Sequence, residues 1–167
     1  MTSGFDETAA LDEIVIVPMT PADLEEVLAI ERCSFPSAWS RGSYERELRS
    51  RNSHYFTAHH QGRLLGYVGM WLVLGEAHIT TLAVHPHFRR RGLGSRLLRF
   101  LIGEARGGGA TKVTLEVRTQ NQAAISMYRK SGFEQKGVLR GYYGDTGEDG
   151  IVMWTLLDPE ADREAAP

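Results

Sequence analysis

Three strand-like runs follow one another almost without interruption between His54 and Val84, and the chain then enters a long amphipathic helix. His54–His60 and Leu64–Leu74 are separated by Gln61-Gly62, a pair suited to a tight hairpin. Gly75 closes the second run, Ala77–Val84 forms the third, and Pro86 stops it. Strands joined by so few residues lie antiparallel, because a parallel connection needs a crossover of about a dozen residues or more. From Gly92 to about Arg106, by contrast, Leu93, Leu97, Leu98, Leu101, Ile102 and Ala105 recur at helical spacing. Lys112–Arg118 then reads as a strand again, so the helix supplies a crossover. The two kinds of connection predict a mixed, mostly antiparallel sheet with helices on both faces.

The remaining segments extend this pattern. Ile14–Met19 is a short β-branched run, and Pro18 within it marks a strand end or an edge strand. Thr20-Pro21-Ala22-Asp23 opens a helix, with Thr20 as N-cap and Pro21 at the first helical position. Leu24, Val27, Leu28 and Ile30 carry its apolar stripe to about Arg32. Residues 34–39 (SFPSAW) break it, and Ser40 caps a second helix to about Arg49. After Gly107-Gly108-Gly109 and the strand Lys112–Arg118, Asn121 caps a helix through about Lys130, with Gly132 at its C′ position. Phe133–Tyr142 and Gly150–Leu157 are the last strands, joined by Gly144-Asp145-Thr146-Gly147. The order is β-α-α-β-β-β-α-β-α-β-β. It predicts one α/β domain over residues 13–157, with a leader over 1–12 and an acidic tail over 158–167.

Composition excludes several classes. A chain of 167 residues with 42% apolar and 24% charged side chains fits one globular domain. A net charge of −2 disfavours a globally basic nucleic-acid binder. The longest uncharged stretch, Leu64–Gly75, falls well short of the roughly 20 residues that a membrane-spanning helix needs. The N-terminus, MTSGFDETAALDE, lacks the basic and apolar regions of a signal peptide. The single cysteine, Cys33, makes neither an internal disulfide nor a cysteine zinc site. No metal is expected, a reducing cytoplasmic setting fits, and Cys33 reads as a small buried apolar residue.

Chemistry concentrates where the third strand ends. Leu82-Ala83-Val84-His85-Pro86-His87-Phe88-Arg89-Arg90-Arg91-Gly92-Leu93-Gly94-Ser95 takes a strand through a basic, glycine-containing loop directly into a helix. A helix N-terminus offers free N–H groups and partial positive charge to a phosphate. The amides of Arg90–Ser95 could form a nest around a pyrophosphate, and Arg89–Arg91 add charge. No Gly-Lys-Ser/Thr makes it a P-loop, and no third glycine makes it a dinucleotide fingerprint. A solvated basic turn is the plainer reading, and a short RNA-binding patch is disfavoured because no interleaved aromatics support stacking.

Arg89-x-x-Gly92-x-Gly94, after a strand and opening a long helix, resembles the acyl-CoA pyrophosphate loop of the GNAT N-acetyltransferases, and the element order from about residue 13 to 157 is similar to that fold. A second block, Leu115-Glu116-Val117-Arg118, Asn121-Gln122-Ala123-Ala124-Ile125, Met127-Tyr128 and Gly132-Phe133, resembles the same fold. With Arg140-Gly141-Tyr142-Tyr143 and the turn at 147–150, the sequence resembles the RimI-type ribosomal-protein alanine N-acetyltransferases.

The resemblance implies transfer of acetyl from acetyl-CoA to the α-amino group of a protein, such as a ribosomal protein with N-terminal Ala, by a monomer acting without metal, membrane or nucleic acid. It implies Glu116 as base and Tyr128 as acid. For Glu116, a salt bridge to Arg118 or a nearby Lys is the plainer alternative; for Tyr128, a place in the core. It also implies acetyl-CoA contacts from Leu82, Ala83 and Val84, from Arg89, Arg90, Arg91, Gly92, Leu93, Gly94 and Ser95, and from Asn121, which serves equally as an N-cap. On the substrate side it implies Phe35, Pro36 and Trp39, although Ser37 and Ala38 are two extra residues relative to the family's loop. Tyr142 and Tyr143 form the opposite wall, where adjacent strand residues face opposite ways, so only one need line the site. Glu76 is expected to bind the amine or act as a second base, and His78 is a reserve base. A lysine or small-molecule amine acetyltransferase, and a catalytically idle acetyl-CoA-binding module, are the competing functions.

Overall fold

The computed structural model describes residues 11–158. Residues 1–10 of the expected leader and 159–167 of the expected tail lie outside the described residues. A short 3-10 turn, Leu11–Glu13, precedes β1 (Val15–Pro18). A second turn, Pro21–Asp23, leads into α1 (Leu24–Ser34). There the Asp23 carboxylate accepts from the Thr20 N–H at 2.8 Å, which fixes the entry to the helix. α2 (Arg41–Arg49) follows, and its N-cap Ser40 accepts from the Ser43 N–H. Then come β2 (Ser53–His60), β3 (Arg63–Val73) and β4 (Glu76–Val84). α3 (Leu93–Gly107), β5 (Lys112–Arg118), α4 (Gln122–Lys130), β6 (Glu134–Tyr143) and β7 (Glu148–Leu156) complete the order expected from the sequence.

The seven strands lie in the order β1-β2-β3-β4-β5-β7-β6. β1 is an edge strand paired antiparallel to β2, so Pro18 sits where a missing N–H is tolerated. Gln61 and Gly62 both have positive φ (49° and 77°), as the tight turn between β2 and β3 requires. β4 and β5, separated by α3, pair in parallel, with Glu76 opposite Lys112 and His78 opposite Thr114. β5 pairs antiparallel with β7, and β7 with β6. Among the described residues no helix is long and apolar enough to cross a membrane.

The described residues form two compact units, 11–69 with 81–98, and 70–80 with 99–158. In the first, Met19, Leu24, Val27 and Ile30 join Tyr44, Tyr55, Leu64, Tyr67 and Ala83 in one buried cluster. In the second, Val113, Leu115 and Val117 of β5 are buried along with Ile125, Phe133, Ile151 and Met153. The stripe of α3 is buried as its spacing predicts. Leu97 and Leu98 are fully enclosed, and each contributes about 2 kcal/mol of apolar burial.

Candidate active site

β5 alternates as a strand with one apolar face should. Val113, Leu115 and Val117 are buried, while Thr114, Glu116 and Arg118 are half-buried on the opposite face. The parallel register sets His78 of β4 opposite Thr114, and its ring reaches along the sheet to the next residue on that face. His78 Nε2 lies 2.5 Å from Glu116 Oε2. An ionised carboxylate only accepts, so the imidazole Nε2–H is the donor. Trp71 of β3 flanks the same imidazole, ring centres 5.6 Å apart. The two side chains remain 30% and 25% exposed, which leaves the carboxylate open to an incoming group. The alternative partner for Glu116 is engaged elsewhere. Arg118 grips Asp145 with both terminal nitrogens, at 3.1 and 2.8 Å, and lies 3.7 Å from Glu148.

That grip holds the β6–β7 turn. The Arg118 guanidinium also covers the Tyr143 ring at 4.0 Å, and Glu148 accepts from the Gln120 N–H at 2.8 Å. β6 does not follow the simple alternation that the sequence suggested. Its register with β7 shifts between Leu139 and Tyr143, and Gly141 takes a positive φ of 60°. Such a bulge re-aims side chains. Tyr142 and Tyr143 therefore end with rings 5.0 Å apart and nearly perpendicular. Both feel Glu116: its charge adds to the effect of burial in raising their pKa values, and Tyr143 is pushed up to about 12. Tyr128 of α4 is buried against Phe133, ring centres 5.6 Å apart. Burial, and then Tyr143, push its hydroxyl pKa well above the usual phenol value, so the group stays protonated at any physiological pH.

The first unit carries the loop that follows β4. A 3-10 turn, Pro86–Phe88, leads to Arg89, whose Nε donates to the Val84 carbonyl at 3.0 Å and whose Nη2 donates to Ser34 Oγ at 3.0 Å. Arg89 thus braces the loop as well as charging it. Arg91 lies over the Phe88 ring. Arg90 and Gly92 both take left-handed backbone, φ 61° and 87°, immediately before α3. Left-handed residues at a helix start are the backbone pattern of an anion-binding nest, and the amides of Leu93, Gly94 and Ser95 in the first turn have no intrahelical acceptor. A Cβ at Gly92 would also meet Leu11 Cδ1 at 3.2 Å. Gly92→Ala is expected to raise the KM for acetyl-CoA about tenfold and to lower stability by about 1–2 kcal/mol. Steady-state kinetics and a thermal melt check both. Asn121 caps α4 by accepting from the Ala124 N–H at 3.2 Å, which leaves its amide NH2 for a ligand.

Phe35 and Trp39 half-bury their rings against the tyrosine cluster of the first unit, and Pro36, Ser37 and Ala38 between them are exposed. Glu76 stands apart from Glu116. It opens β4 opposite Lys112, 3.8 Å from that ammonium, and Glu116 is four residues, about 13 Å, further along β5. Cys33 is exposed rather than buried, because the inward positions of α1 are Leu24, Val27, Ile30 and Glu31. Two features escaped sequence reasoning: the direct bond from His78 to Glu116, and a buried acid, Glu31, on the apolar stripe of α1. The i, i+4 spacing from Val27 to Glu31 was the available signal for the second.

Residues 24–133 match the family described as "Acetyltransferase (GNAT) family". The chain belongs to that family. It is 36% identical over 137 residues to a Bacillus subtilis protein named putative ribosomal protein bS18-alanine N-acetyltransferase, covering 81% of this chain and 91% of that one. It is 39% identical over 153 residues to the Mycobacterium tuberculosis N-alpha-acetyltransferase RimI, covering 87% and 94%. The crystal structure of the Escherichia coli ribosomal-protein-S18-alanine N-acetyltransferase superposes with a TM-score of 0.80 at 31% identity, over 87% of this chain and 94% of that one. This GNAT chain therefore has the fold that its element order predicted, a seven-stranded, mostly antiparallel open sheet with four helices.

Proposed function

We propose that this GNAT enzyme transfers acetyl from acetyl-CoA to the α-amino group of a protein, with a ribosomal protein bearing N-terminal Ala or a similar small residue as the acceptor. The observation that carries the reading is the half-exposed Glu116, bonded to His78 and walled by Tyr142 and Tyr143. Three relatives named for N-terminal acetylation support the choice of acceptor. The reaction takes place in the cytoplasm, in a monomer.

Acetyl-CoA supplies the thioester. The left-handed turn at Arg90 and Gly92 and the first amides of α3 fit its pyrophosphate, with Arg89–Arg91 adding charge and Leu82–Val84 offering backbone to its pantetheine arm. The α-amine, with a pKa of about 7.7–8, loses a proton to Glu116 directly or through a water. His78 holds that carboxylate in place. The neutral nitrogen attacks the thioester carbonyl, an N–C bond forms, and the now cationic nitrogen gives its second proton to solvent water. The C–S bond then breaks, and Tyr128 gives its proton to the departing thiolate and regains one from solvent. No covalent acetyl-enzyme is needed, since both substrates are held together. Phe35, Pro36 and Trp39, and Tyr142 and Tyr143, are the side chains assigned to the peptide.

The test is thiol release from acetyl-CoA with short peptides that begin with Ala, Ser, Met or acetyl-Ala, each with one internal Lys. Release is expected only with free N-termini, with Ala ahead of Met. Equal release from the blocked peptide would reassign the acceptor to lysine. Absent release with retained acetyl-CoA binding would point to a small-molecule amine or an idle binding module.

A further inference from the structure

Among the described residues, Glu31 is the one charged side chain that is fully buried, at 2% exposure. It sits in the last turn of α1, under the segment that joins α1 to α2. Three donors meet it, and they divide between its two oxygens. Oε1 accepts from the Tyr44 hydroxyl at 2.5 Å and the Tyr67 hydroxyl at 2.9 Å. Oε2 accepts from the backbone N–H of Trp39 at 3.0 Å. No cation is among these partners. A carboxylate held this way carries a desolvation cost that a well-packed apolar side chain would not. The position borders an apolar cluster, and what the acid adds there is an acceptor for three donors.

What it holds is the segment 35–40. Phe35 N–H closes the end of α1 on the Glu31 carbonyl at 3.0 Å, and Ser40 starts α2. Between these fixed ends, the Trp39 N–H is pinned by the buried carboxylate. The same tether sets the Trp39 ring against Tyr44, centres 5.3 Å apart. We infer that Glu31 is a positioning residue for the acceptor: by holding the Trp39 amide it fixes the loop over residues 35–40 and so sets peptide affinity. This rests on the proposed function, in which Phe35, Pro36 and Trp39 take the peptide.

The division of donors makes the role separable from stability. Glu31→Met removes the tether and fills the volume with an unbranched apolar chain. Tyr67→Phe withdraws a donor from the same carboxylate but leaves the tether. In Glu31→Met, hydrogen exchange at the Trp39 amide is expected to lose at least about tenfold protection. The peptide KM rises about tenfold, with the acetyl-CoA KM and kcat within about twofold. In Tyr67→Phe, the melting temperature falls while Trp39 protection and peptide KM stay at wild-type values. Should the methionine variant fail to fold, Glu31→Leu answers the same question, since it too leaves the Trp39 N–H without its carboxylate acceptor. Glu31→Gln is the rescue: the Trp39 N–H can only donate while the two hydroxyls can also accept, so the Gln oxygen faces Trp39, its NH2 faces the tyrosines, and Trp39 protection and peptide KM stay within about twofold of wild type. A freed Trp39 amide with unchanged peptide KM overturns the inference and leaves the acetylation reading intact. Equal rises in the KM of peptide and acetyl-CoA also overturn it, since they mark general loosening. A wild-type enzyme that acetylates no peptide overturns both.

Discussion

Glu116→Gln is expected to lower kcat about 100-fold at pH 7, the ordinary contribution of a general base, while acetyl-CoA affinity changes less than about twofold. Gln keeps the shape and an oxygen for the His78 N–H, but it cannot take a proton. The substitution therefore isolates proton acceptance from the geometry of the 2.5 Å contact. The sign of the pH dependence follows from the acceptor. An α-amine with pKa about 7.7–8 is mostly ammonium at pH 7 and mostly neutral at pH 9. A missing base is then felt most at low pH, and the wild-type to variant ratio of kcat/KM narrows as pH rises from 6.5 to 9.5. A parallel pair of profiles would show that Glu116 does something other than accept this proton. Full activity across pH 6–9 would remove it from the mechanism.

The fold was legible because its punctuation is local. Ser40, Asn121 and Gly132 mark helix ends where capping chemistry requires them, and the turn at Gln61-Gly62 needs positive φ at both residues. The face of Glu116 was legible for the same reason, since a period of two puts Thr114, Glu116 and Arg118 together whatever the neighbouring strand is. What a strand meets across the sheet is not local. His78 and Glu116 are 38 residues apart in sequence, and only the parallel register of β4 and β5 brings the imidazole to the carboxylate. For the same reason the salt bridge to Arg118 was a fair expectation. It was displaced by Asp145, which the turn between β6 and β7 delivers to the end of β5.

Two other differences have physical causes that one sequence hides. A bulge shifts the register of β6, and the rings of Tyr142 and Tyr143 end 5.0 Å apart. On α1, the buried face includes an acid because two tyrosines from α2 and β3 and an amide from the following loop converge on it. Propensity and hydropathy put Glu31 in water and Cys33 in the core. Partners from distant segments reverse both, which is how tertiary structure overrides local preference.

Tyr128→Phe is expected to lower kcat about 30- to 100-fold with little loss of stability. The ring keeps its place against Phe133, and among the described residues its hydroxyl makes no hydrogen bond, so an apolar replacement of the same shape is nearly neutral. Burial first, and then Tyr143, raise the Tyr128 pKa above that of a free phenol. The direction matters for the acid role. The native hydroxyl stays protonated through pH 10, so the wild-type kcat should show no alkaline fall from this group below that pH. An unshifted phenol would begin to lose its proton there. The step it serves is departure of the thiolate, so the effect of the substitution depends on the leaving group. With an acetyl thioester of a more acidic thiol, the thiolate leaves without help, and the Phe variant should approach the wild type. An equal loss with good and poor leaving thiols would mean that the hydroxyl positions a substrate instead. An unchanged kcat would return Tyr128 to the core.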